Sequence, residues 1–200
     1  GADMGLDRLS DPSDPLYISD DAPAKLSDAK DLFYDQDNDT FWVCDSGNNR
    51  ILRLDTDLKV TGCYTGFTGS TEISVGEDGR STFLNPNGIY VKKSIFDDKL
   101  YVYIADTDNS RAVKCTVESG TEMTLVQEYT KPDTKLYDSE TFNPSKILAD
   151  KAENIYVVCK SVNTGSVQFN KDGEFQGFYG ANRVEVTAAV IAQKLSLIHI

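Results

Sequence analysis

The chain has 200 residues, 40% hydrophobic and 26% charged, a balance that suits a soluble globular domain. Its formal net charge of −12 is spread along the chain instead of gathered into a tail, which argues against nucleic acid as a partner. No apolar run reaches the roughly 18–20 residues that a bilayer requires, and four cysteines with one histidine and no C-x-x-C pair exclude an ordinary zinc site.

Residues 1–25 are rich in Asp, Ser and Pro and hold one short strand-like run, LYIS at 16–19. From residue 31 the composition changes. Residues 31–67 read as four short strands, expected at 31–35, 40–44, 50–55 and 60–67, separated by turns of Asp, Asn, Gly and Ser. The first of those turns, DQDND at 35–39, has the acidity of a calcium loop. It lacks the Gly and Glu that an EF-hand needs at its sixth and twelfth places, where Thr40 and Ser46 stand, so it reads as a hairpin turn. A polar connector follows at 68–83.

Residues 87–130 and 144–180 repeat the same grammar, with a second connector at 131–143 and a short expansion at 93–98. The middle turns set the register: CDSGNNR at 44–50, ADTDNSR at 105–111 and CKSVNTG at 159–165, which place Asp45, Asp106 and Lys160 in equivalent positions. The second strands, FWVC, LYVYIA and IYVVC, are apolar at every position. A sheet with one wet face would alternate. Small four-stranded sheets stacked face to face around an axis, as in a propeller, cover both faces. The cysteines Cys44, Cys63, Cys115 and Cys159 lie inside or beside such runs and are expected to be buried thiols.

At the middle turn the sequence resembles the NHL-repeat family, whose blade runs from an apolar strand into D-x-x-N-x-R-I. FWVCDSGNNRI at 41–51 is a close match, YIADTDNSRA at 103–112 a good one, and IYVVCKSVNTGSV at 155–167 a degenerate one. The resemblance spans about residues 26–180. It implies an all-β fold, a partial β-propeller of four-stranded antiparallel blades of the six-bladed TolB-like type, with blades at 26–69, 84–130 and 142–180. Residues 1–25 then form a lead-in or partial blade. Residues 181–194 read as a short C-terminal helix that begins an insertion, with Thr187 as its N-cap. LSLIHI at 195–200 matches an in-frame reading of a sequencing-library transposon end and is expected to be non-native, which removes His199 from any chemistry. The chain is thus expected to be part of a longer propeller, and by itself to aggregate or be poorly stable.

Within the motif, Asp45 with Asn48 and Arg50, and Asp106 with Asn109 and Arg111, are expected to be structural. The carboxylate would take turn amides near Gly47 and Asn48 and pair with the arginine across the hairpin, while Gly47 and the asparagines would supply positive φ. The rim expected to bind ligand comprises Ser46, Asn85, Asn87, Thr107, Asp108, Asn143, Ser161 and Asn163, whose amides and hydroxyls suit a polar ligand. The function implied is a non-catalytic scaffold for a protein, peptide or glycan, without cofactor or metal. It would lie outside the cytoplasm of a bacterium or at its membrane, through a segment absent here. The alternative is a metal-dependent propeller enzyme, lactonase-like or lyase-like, completed by further blades. No nucleophile elbow, Cys–His pair or P-loop is present.

Overall fold

The structure is a computed structural model that describes residues 3–69, 80–137, 139–160, 162 and 165–180. Ser161, Asn163, the helix expected at 181–194 and the segment 195–200 lie outside the described residues. Three sheets, each built on four antiparallel strands, follow one another along the chain. The first is β1 (Asp31–Asp35), β2 (Thr40–Asp45), β3 (Arg50–Leu54) and β4 (Val60–Tyr64), paired in that order.

Two short strands follow, β5 (Gly66–Thr68) and β6 (Arg80–Thr82). The second sheet is then β7 (Pro86–Lys93), β8 (Leu100–Asp106), β9 (Arg111–Val117) and β10 (Met123–Tyr129), and the third is β11 (Pro144–Ala149), β12 (Ile155–Cys159), β13 (Ser166–Phe169) and β14 (Phe175–Tyr179). The connector expected at 68–83 is therefore partly structured: β5 pairs with β6 and runs parallel to β10, extending the second sheet at its outer edge. The fourth strand of the first sheet correspondingly stops at Tyr64.

The all-apolar second strands have a direct cause. In β8, Val102 and Ile104 join a core shared with Trp42, Cys44 and Ile51 of the first sheet. The alternate residues Tyr101, Tyr103 and Ala105 join a second core shared with Ile147, Ile155 and Val157 of the third sheet. Side chains in a strand alternate between faces, so a strand sandwiched between two sheets must be apolar throughout. The far face of the first sheet is partly covered by the lead-in, where Leu6, Leu9, Leu16 and Ala22 pack on Val43, Leu52, Leu54, Val60 and Cys63.

One register differs from the sequence expectation. Pro86 pairs with Asp106 and Pro144 pairs with Cys159, so Cys159 occupies the position of Asp106 and Lys160 lies one residue beyond it. Two-residue periodicity settles the matter physically. With Cys159 there, Ile155 and Val157 fall on the face against the second sheet, as Val102 and Ile104 fall against the first.

Candidate ligand-binding rim

The first strands of the three sheets, β1, β7 and β11, lie side by side on the inner edge of the stack. At their starts, the turns that follow β2 and β8 meet the segments leading into the next sheet. Both turns are single 3₁₀ turns, Ser46–Asn48 and Thr107–Asn109, closed by a residue in the left-handed region, Asn49 at φ 53° and Ser110 at φ 53°.

The Asp–Asn–Arg motif clamps the incoming chain to each turn. Asp45 Oδ2 accepts from Arg50 Nε at 2.6 Å and from Asn48 Nδ2 at 2.9 Å, while Oδ1 accepts from the Ser27 amide at 2.7 Å. Arg50 and Asn48 also donate to the Lys25 carbonyl, and Arg50 to that of Pro23. The second sheet repeats this. Asp106 takes Arg111 Nε at 2.8 Å, Asn109 Nδ2 at 2.8 Å and the Leu84 amide at 2.8 Å, and Arg111 and Asn109 reach the Thr82 carbonyl. Burial pushes the Asp106 carboxyl above its ordinary value, against the pull of these bonds.

The carboxylates thus take amides from the incoming segments, not the turn amides near Gly47 and Asn48. Gly47 is required for space and not for φ: a Cβ there would stand 2.8 Å from the Ser27 carbonyl oxygen. In the third sheet Cys159 and Gly165 hold the two charged positions, and a backbone bond from Lys160 N–H to Asn143 O ties down the incoming chain.

Several expected rim residues link sheets. Ser46, Asn87 and Thr107 are buried. Ser46 Oγ donates to the Pro86 carbonyl, Asn87 Nδ2 to Thr107 Oγ1 at 2.7 Å, and Thr107 Oγ1 to the Pro144 carbonyl at 2.7 Å. Asn87 Oδ1 has no hydrogen-bond partner. The Asn85 backbone N–H donates to Asn49 Oδ1 at 2.8 Å, and its Nδ2 donates to Asp108 Oδ2 at 3.1 Å. Asn143 donates to Thr141 Oγ1. Asp108 is exposed, and Asn85 and Asn143 are half-buried.

Two charged residues escaped the sequence reading. Asp31 opens β1, and its Oδ2 accepts the Ile89 amide of β7 at 2.9 Å, while its Oδ1 pairs with Lys146 Nζ of β11 at 2.5 Å. One carboxylate therefore joins all three sheets at the inner edge, and the Lys146 ammonium remains half exposed beside it. Their proximity is tertiary, across 115 residues of chain, so no local pattern could mark it.

The DQDND turn is a hairpin. Asp35 takes the Asp37 amide and Asn38 Nδ2, and Asp39 takes the Tyr34 hydroxyl. All four cysteines are unpaired and buried, and burial raises the Cys63 and Cys159 thiols to about 11. These are inert hydrophobic groups.

The stack of four-stranded antiparallel sheets makes this chain an all-β protein, a partial β-propeller. No family model and no curated protein matches it. Among solved structures it is similar to Kuenenia stuttgartiensis hydrazine synthase, at 13% identity over 82% of this chain and 40% of that one, with a TM-score of 0.50. It is also similar to a streptogramin B lyase, at 16% over 80% and 42% with TM-score 0.48. A gluconolactonase-like protein matches at 12% over 78% and 50% with TM-score 0.47. At such identities the likeness speaks to the fold alone, and the chain spans only 40–50% of the length of these structures.

Proposed function

We propose that this chain is part of an NHL-type propeller that binds a protein, peptide or glycan at its inner rim and acts by holding that ligand. The supporting observation is a division of labour among polar groups. The recurring Asp, Asn and Arg side chains are engaged in clamping the scaffold, whereas the inner rim gathers accessible ones: exposed Asp108, half-buried Asn85 and Asn143, and the half-exposed Lys146 beside Asp31. Amides with one cation and nearby carboxylates suit a polar, uncharged or weakly anionic ligand. A site outside the cytoplasm of a bacterium, with attachment to the membrane through a further segment, fits this reading.

The test is a screen of glycans and short peptides followed by NMR titration of the labelled protein. Shifts concentrated at Asn85, Asp108, Asn143 and Lys146, and weakened at least tenfold by Lys146→Ala, support the reading; shifts confined to other surfaces reject it. Calorimetric titration with Ca²⁺ addresses the enzyme alternative. Tight stoichiometric binding at the inner rim would favour a metal-dependent enzyme over a scaffold.

A further inference from the structure

Ladder register places Asp31, Gly88 and Lys146 at one level of the stack. They pair with Cys44, Ala105 and Val158, each the residue before the one that holds the acid position of its sheet. The inner strands β1, β7 and β11 thus present, in order, a carboxylate, no side chain and an ammonium. Gly88 is what lets the outer two meet. A Cβ there would stand 2.8 Å from Lys146 Cα and 2.7 Å from the Ser145 carbonyl oxygen, so β11 is drawn directly against β7 at this level. β7 is the end strand of its sheet, and the Ile89 N–H points off that free edge to Asp31 Oδ2 at 2.9 Å. Lys146 Nζ reaches Asp31 Oδ1 at 2.5 Å. The ion pair therefore lies across the inner edge of β7, and it is open to solvent, with the Lys146 side chain 51% and the Asp31 side chain 19% exposed.

The chemistry of the rim follows from this pairing. An ammonium has three protons to donate and accepts nothing, and a carboxylate oxygen has lone pairs beyond the one that a single bond uses. Asp31 takes one Lys146 proton and cancels its charge, so the other protons remain as donors on a pair that is neutral as a whole. The chain around it carries a net charge of −12. An incoming anion therefore finds no free cation and meets a repelling field. An uncharged hydroxyl fits instead, because one atom can accept from Lys146 while its proton goes to Asp31. A peptide offers its acceptor and its donor on separate groups, whereas neighbouring sugar hydroxyls offer both at every place.

We propose that Asp31 is the specificity-determining residue of the inner rim: it holds Lys146 in place and neutralises it, so that the rim takes an uncharged glycan and rejects an anionic one. Gly88 acts as a positioning residue, by keeping β11 close enough for Lys146 to reach. The proposal rests on the reading of the rim as the ligand site and narrows it to one ligand class.

NMR titration of the labelled protein with sulfate, at constant ionic strength, tests the charge screen without any glycan. In the wild type the Lys146 side-chain signals should stay in place. Asp31→Asn keeps an oxygen for the Ile89 N–H but removes the charge, and should bring sulfate onto Lys146 at least about tenfold more tightly. Asp31→Glu can still reach the ammonium and should behave as the wild type, and Asp31→Asn combined with Lys146→Met should take no sulfate there. Circular dichroism checks that each variant is folded. Titration with neutral oligosaccharides, their uronic-acid counterparts and uncharged peptides then reads the ligand class. Neutral sugars should shift Lys146 in the wild type, and Asp31→Asn should move the preference at least about tenfold toward the uronic acids. A wild type that takes sulfate at Lys146 as tightly as Asp31→Asn overturns the proposal, whatever the sugars do. Binding of uronic acids or peptides in place of neutral sugars by the wild type overturns the ligand class. A sulfate contrast as expected, with no ligand of any kind at the rim, instead overturns the reading of the rim and leaves the neutralising role of Asp31 standing.

Discussion

Asp45 and Arg50 form an ion pair whose side chains are 0% and 3% exposed. Removing one partner of such a pair leaves a desolvated charge and several orphaned donors, which typically costs 3–5 kcal/mol. Asp45→Ala should therefore lower the urea midpoint strongly, by about 3–5 kcal/mol. Asp106→Ala should cost less, because Arg111 is more exposed and keeps a second acid within reach, Glu128 at 3.5 Å. Equal losses at the two sites would contradict this ranking. The pairing itself was legible in the sequence, because an acid ending one strand and an arginine opening the next face each other across a short turn. The amide that each carboxylate accepts was not legible: Ser27 lies 18 residues before Asp45 and Leu84 lies 22 before Asp106. Nor was the role of Gly47, since a close approach by distant backbone leaves the same residue as a need for positive φ.

At the scale of elements, the strands are set by composition, but how they stack is set by contacts that composition does not encode. Lys160 illustrates the limit. The turn CKSVNTG matches the motif by eye with Lys160 at the acid position, yet burial of Ile155 and Val157 against the second sheet shifts the register by one residue. Close stacking also explains Gly88. A Cβ there would lie 2.7 Å from the Ser145 carbonyl oxygen, so Gly88→Ala should separate β7 from β11 and cost about 1–3 kcal/mol in chemical denaturation.

A buried ion pair fastens the same two sheets at another place, with Lys114 Nζ 2.8 Å from Glu153 Oε2 and 3.8 Å from the Tyr101 ring centre. Burial works to raise the Glu153 carboxyl, but hydrogen bonds from Lys114 and Ser94 and the Lys114 charge outweigh it, and the net displacement is downward. A folded value below the unfolded one means stability that is present above about pH 4.5 and lost as pH falls through the folded value. Glu153→Gln should cost about 3 kcal/mol at neutral pH, and should flatten the loss of stability that begins as pH falls below about 4.5. An acid limb as steep as that of the wild type would assign the acid loss to other carboxylates.

Among the described residues, the second sheet alone is buried against a neighbouring sheet on both faces, by two separate hydrophobic cores. An aromatic residue such as Tyr103 or Tyr129 hides roughly 150–250 Å², about 4–6 kcal/mol at 25 cal/mol per Å². The third sheet shares one of those cores and leaves Leu148, Val158 and Tyr179 exposed on its other face. The first sheet has the lead-in as partial cover. The architecture was legible from repetition and from strands apolar on both faces. The lead-in's role was not, since Leu6 and Leu9 share only a single 3₁₀ turn, Leu6–Ser10, too short to mark a packing face, and Leu16 lies outside it. This asymmetry predicts an order of opening, because local stability follows the apolar contacts that each segment would lose. Amides of β8 and β9 should exchange slowest with solvent, those of β13 and β14 at least about 100-fold faster, and β2 and β3 between them. If β14 were as protected as β8, stacking would not be the source of stability in this fold.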